Sequence, residues 1–195
     1  MNKKFLKLNV RGFTLIELLI VIAILGTLAV VVLLALNPVQ QLAAARDSGR
    51  SSTVAQLGHA MEAHATANGG SYNPDAAAGT CGVVAGVPQN TSTTWITTCL
   101  VGTGELKAVP AAIGYTSLAA APACPGTSVS ENGWCYDGTA ANMVVFTQAE
   151  ATRNTAKCAA GQTAYWVYAT AAGRGGLWCN ASAPVAAFSG GTWVN

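Results

Sequence analysis

The chain has 195 residues, 51% of them hydrophobic and only 9% Asp, Glu, Lys or Arg, against about 25% charged residues in an average soluble domain. With a mean hydropathy of +0.38, this composition excludes a disordered chain and a basic nucleic-acid binder, and the length allows one domain or one domain with an appendage. The net charge of +2 is unevenly spread: Lys3, Lys4, Lys7 and Arg11 precede any acid, and after them six bases face eight acids.

Residues 13–36, FTLIELLIVIAILGTLAVVVLLAL, carry a single charge, Glu17. As a helix this run is about 36 Å long, enough to cross a hydrocarbon core of about 30 Å. The basic residues before it predict a cytoplasmic N-terminus and an outward-facing remainder. A secretory signal peptide fits poorly, because the run is long and ends in Leu36-Asn37-Pro38 with no small-residue cleavage site. A plain signal anchor accounts for the length and the lysines but not for a carboxylate at membrane depth, which is costly and usually has a partner and a function.

The string Arg11-Gly12-Phe13-Thr14-Leu15-Ile16-Glu17-Leu18-Leu19 resembles the class III signal of type IV pilins and type II secretion pseudopilins. The resemblance implies that a membrane-embedded prepilin peptidase cuts between Gly12 and Phe13 and methylates the new amine of Phe13. Cleavage there removes the leader bases and keeps the apolar helix, which can leave the bilayer only if a bundle of like helices buries it. Glu17 then pairs with the cationic amine of a neighbouring Phe13, a contact strengthened by low dielectric.

Beyond Pro38, the positions Val39, Leu42, Ala43, Arg46, Arg50, Val54, Leu57, Met61 and Ala65 recur at spacings of mostly three and four. They predict an amphipathic helix ending at Asn68-Gly69-Gly70. Joined to the apolar run, it makes one helix of roughly 80 Å, kinked by Pro38. The long helix and its exit at Ser71-Tyr72-Asn73 are similar to those of many pilins.

Residues 74–94 read as loop. Short strands are expected at 95–100 and 106–109, and a short helix at 111–120. Clearer strands are 142–147 and 164–170, the latter followed by a Gly-rich turn and a strand over 177–180, which resembles a hairpin. The fold class is α+β: a long N-terminal helix packed against a small antiparallel sheet. The domains expected are a cleaved leader (1–12), an apolar transmembrane or filament-core helix (13–38), its amphipathic continuation (39–73) and a disulfide-containing head (74–195).

Cys81, Cys99, Cys124, Cys135, Cys158 and Cys179 all follow residue 80. An even count in an outward-facing region predicts disulfides, with connectivity left open. Sequential pairing is the expectation, and the Cys158–Cys179 link is similar to the disulfide-bounded loop of many pilins.

No catalytic motif is found, and Asp75, Glu105, Glu131, Asp137 and Glu150 are scattered, so no enzyme activity and no cofactor are expected. His59 and His64 fall on different helix faces and read as surface or packing residues, so no metal site is expected. Glu131, Asn132 and Asp137 match no calcium loop and read as a solvated turn. Of Trp95, Trp134, Trp166, Trp178 and Trp193, at least half are expected in the core. Asn90 and Asn180 begin N-glycosylation-like triplets.

The function implied is a structural subunit that polymerises with itself into an extracellular filament for attachment, motility or DNA uptake. The alternatives are a minor pilin, a secretion pseudopilin or a membrane-tethered binding module. The implied partners are other copies, the prepilin peptidase, a pilus assembly platform and the membrane before assembly, with nucleic acid only through uptake by the filament. The implied locations are the cytoplasmic membrane for the precursor and the cell exterior for the filament.

Overall fold

The computed structural model describes residues 12–72, 94–115, 124 and 129–194. The chain forms two units, one up to Val39 and one from Gln40 onward. The first is dominated by α1, Leu15–Leu36, whose described side chains are all exposed. A second helix, α2, covers Pro38–Ala67. The single helix expected here is two: Asn37 adopts the left-handed region, φ 40° and ψ 73°, and ends α1. Pro38 then opens α2, where its fixed φ suits a first helical turn and its missing N–H costs nothing.

The second unit is α+β. Six strands form one antiparallel meander, every strand pairing with the next in sequence: β1 Val129–Glu131, β2 Trp134–Gly138, β3 Met143–Gln148, β4 Thr163–Ala169, β5 Arg174–Asn180 and β6 Thr192–Val194. A four-residue helix, α3 Thr152–Thr155, lies between β3 and β4. The β1–β2 turn is Asn132-Gly133, with φ of 54° and 85°. Both residues need positive φ in such a two-residue hairpin, which Asn-Gly supplies at least cost.

Alternation along the strands divides the sheet into two buried faces. On one, Trp134, Tyr136, Met143 and Val145 pack with Val54, Leu57 and Met61 of α2 and with Ile96 and Leu100. On the other, Val144, Phe146, Val167 and Trp178 are covered by Ala183, Phe188 and Cys124. Because both faces are covered, β2 and β3 are buried at nearly every position.

Several expected elements differ. The strand predicted at 95–100 is a π-helical segment, Ile96–Val101; a short apolar run does not distinguish a strand from a buried helical turn. Its first amides donate to the Glu131 carboxylate: Ile96 N, and Thr97 N at 3.0 Å. Residues 106–109 are irregular, as is the described part, 111–115, of the segment expected to be helical. Glu131 and Asp137 are buried, at 5% and 7% exposure, and form no solvated turn. Glu131 pairs with Trp134 and Asp137 with Val144, so they lie on opposite faces of the sheet and cannot share a cation. Asp137 accepts from Ala186 N at 2.7 Å, which fastens the covering loop to β2.

Candidate functional site

The start of α1 is built from Gly12, Phe13, Thr14 and Glu17. Thr14 is the N-cap, with an extended backbone, and its Oγ1 accepts from Glu17 N at 3.3 Å. Glu17 reaches back: Thr14 N and Thr14 Oγ1 each donate to Glu17 Oε2 at 2.8 Å. This reciprocal capping box satisfies amides that an isolated helix start leaves unpaired. Glu17 therefore has a local partner that an isolated intramembrane carboxylate lacks. The Thr-x-x-Glu spacing at 14–17 is the sequence signal for it.

Both of these bonds use Oε2. Phe13 is 89% exposed. At Gly12 a Cβ would meet nothing within 4 Å, and the backbone needs no positive φ. Nothing among the described residues requires glycine there. From Leu15 to Ala35 the helix is long and apolar enough to cross a membrane.

A second polar constellation lies in the head, where the sequence shows only scattered acids. Asp47 and Arg50 of α2 are buried together. Arg50 donates to Asp47 at 2.6 Å, to Glu150 at 2.8 Å and to the Gly114 carbonyl at 2.7 Å. Arg46 holds Glu150 with two nitrogens, at 3.0 and 2.9 Å, and Glu150 keeps its guanidinium charged to still higher pH than usual. Asp47 also accepts from Glu150 N, Ala151 N and Asn154 Nδ2.

Arg50 sits 4.2 Å from the centre of the Tyr115 ring, and burial pushes the Tyr115 phenol up. A groove of about 270 Å³ beside this cluster is lined by Arg46, Arg50, Pro110, Ile113 and Trp134. Charges here are matched within the protein, two guanidiniums against two carboxylates. The arrangement clamps α2 to the chain after β3.

Two disulfides are present among the described residues. Cys124–Cys135 ties residue 124 to β2, and Cys158–Cys179 ties the segment after α3 to β5, each with Cα atoms 5.4 Å apart. Cys99 is buried against α2, while Cys81, its expected partner, lies outside the described residues, as does Asn90. His64 is buried and His59 exposed. Trp95, Trp134 and Trp178 are buried, and Trp166 and Trp193 are partly so.

Over residues 7–33 the chain matches the family described as the prokaryotic N-terminal methylation motif. The match spans the Gly12–Phe13 junction, the capping box and most of α1. No curated protein and no solved structure matches the chain.

Proposed function

We propose that this chain, whose methylation motif and apolar helix fit the type IV pilin family, is a pilin subunit that polymerises with its own copies into an extracellular filament. The carrying observation is the junction itself: within the matched motif, an exposed glycine that the described fold does not require stands just before the capped start of a helix with no described side chain buried. A prepilin peptidase removes residues 1–12 and methylates Phe13; an assembly platform then draws the subunit from the membrane. Residues 13–38 form the filament core, 39–73 carry the amphipathic continuation, and 74–195 form the outward head. The protein is structural and catalyses no reaction. The two disulfides support an oxidising exterior and favour a pilin over a secretion pseudopilin.

In the filament, Glu17 keeps its Oε2 bonds to Thr14 and offers Oε1 to the Phe13 amine of a neighbour. Cleavage leaves the Thr14 amide intact, so the capping box survives processing. Expressed with a prepilin peptidase and its assembly machinery, the chain should yield a mature N-terminus of methylated Phe13, and Gly12→Leu should retain the leader. Extracellular subunits that begin at Met1 or near Asn37 would overturn the reading. Glu17→Gln keeps the capping box, since glutamine serves at that position, but loses the charge; Glu17→Ala loses both. Both variants should insert and be cleaved yet give few sheared filaments. Normal filament yield from Glu17→Gln would assign Glu17 to helix capping alone.

A further inference from the structure

At the outer face of α2, two of its side chains and one from β4 converge that play no part in the N-terminal motif or in the clamp. His59 Nδ1 lies 3.3 Å from Glu62 Oε2, one helical turn on, and 3.2 Å from the Tyr168 hydroxyl of β4. The His59 and Glu62 side chains are 67% and 39% exposed, so water and ions reach them. Tyr168 stands edge-on to His59, with ring centres 4.9 Å apart. Its position depends on Gly58, because a Cβ there would fall 2.3 Å from Tyr168 Cδ1. Glycine thus lets the ring lie against the helix and brings its oxygen over the His-Glu pair.

As hydrogen bonds the two contacts to His59 are long, and Tyr168 is also hydrogen-bonded to Glu62. Both exceed the usual separation of about 2.9 Å, and one ring nitrogen carries either a hydrogen or a lone pair, so it cannot donate to Glu62 and accept from Tyr168 at once. As metal ligands they fit. Nitrogen and oxygen donors held about 2.0–2.2 Å from a tetrahedral ion lie about 3.3–3.6 Å from each other, and the two His59 separations, 3.3 and 3.2 Å, fall at the short end of that range. We propose that His59, Glu62 and Tyr168 form one face of a surface site for a divalent transition-metal ion, with imidazole, carboxylate and phenol oxygen as ligands and water completing the shell.

This N,O donor set suits Cu²⁺ and Zn²⁺, with Cu²⁺ held more tightly, and disfavours Mg²⁺ and Ca²⁺, which take oxygen ligands alone. Burial, and then Glu62 through its hydrogen bond and charge, push the Tyr168 phenol up to about 12. Tyr168 therefore gives up its proton reluctantly and is the weakest of the three donors.

The test titrates the full-length chain in detergent with Cu²⁺ and separately with Zn²⁺, in a buffer that does not chelate, by calorimetry, with electron paramagnetic resonance of the Cu²⁺ form. One equivalent should bind, Cu²⁺ should displace Zn²⁺, and the resonance should show nitrogen coupling. His59→Ala should weaken this site about 100-fold and abolish the coupling, whereas Tyr168→Phe and Gly58→Ala should each weaken it about 10-fold, with circular dichroism confirming that each variant is folded. Absence of stoichiometric binding, or binding unchanged in His59→Ala, would overturn the site. Unchanged binding in Tyr168→Phe would overturn the three-donor arrangement.

Discussion

Two helices that follow one another in sequence obey opposite rules. In α1, 22 residues present apolar side chains in every direction, with Leu15, Ile16, Leu28, Val31 and Leu33 more than half exposed and no described side chain buried. In α2, 30 residues bury one stripe, Val54, Leu57 and Met61, against the sheet and turn Ser52 and Gln56 outward. A helix that is hydrophobic all round is stable only where something other than water surrounds it. The described residues of the head pack a core of their own, whereas α1 needs apolar surroundings such as a lipid bilayer.

Truncating a large apolar side chain in each region should separate them most sharply. Phe146, 1% exposed between the covering loop and the sheet, should cost about 3–5 kcal/mol of head stability on truncation to alanine, read from chemical denaturation in detergent. Leu25→Ala, on the exposed surface of α1, should leave that transition in place. A shift in the head transition as large as that of Phe146→Ala would mean that the two regions share one core.

The disulfides sharpen the same contrast, since both described bonds lie in the head. Replacing Cys158 and Cys179 together with alanine opens a link between positions 21 apart in sequence and should cost about 3 kcal/mol in the chain-entropy model. Insertion and leader cleavage, which belong to the N-terminal region, should be unaffected. An uncleaved double variant, judged by mobility on a gel, would tie processing to the folding of the head.

The smallest effect concerns alkaline pH. Because the Tyr168 phenol is raised above its unfolded value of about 10, its neutral form is favoured in the folded head. The resulting stability is fully present below pH about 10 and fades as pH rises toward about 12. Tyr168→Phe should flatten the loss of head stability across that window in pH-dependent unfolding curves. An unaltered slope would mean that Tyr168 does not contribute to it.

Local features were legible in the sequence because they depend on neighbours along the chain. The apolar helix within 13–36, the methylation motif that includes Gly12-Phe13 and the strands near 142–147 and 164–170 are all of this kind. The Asn132-Gly133 hairpin and the Thr14–Glu17 capping box were equally available as short-range signals and went unread. Asn37 is different, since a left-handed non-glycine residue before a proline is a single backbone choice that side-chain periodicity does not record.

Tertiary structure alone decided the rest. Whether Ile96–Val101 became strand or helical turn depended on the Glu131 carboxylate waiting at its first amides, 35 residues away. The scattered acids acquired roles only when folding set Glu150 against Arg46 and Arg50, 104 and 100 residues distant. His59 met Tyr168 across 109 residues because Gly58 left room for the ring. The sequence by itself determined what α1 is, because a uniformly apolar helix with a capped, charged start has its environment written along its length. It could not determine what the head's polar groups do, because desolvation forces each buried charge to find a partner and the fold sets which distant residue is within reach.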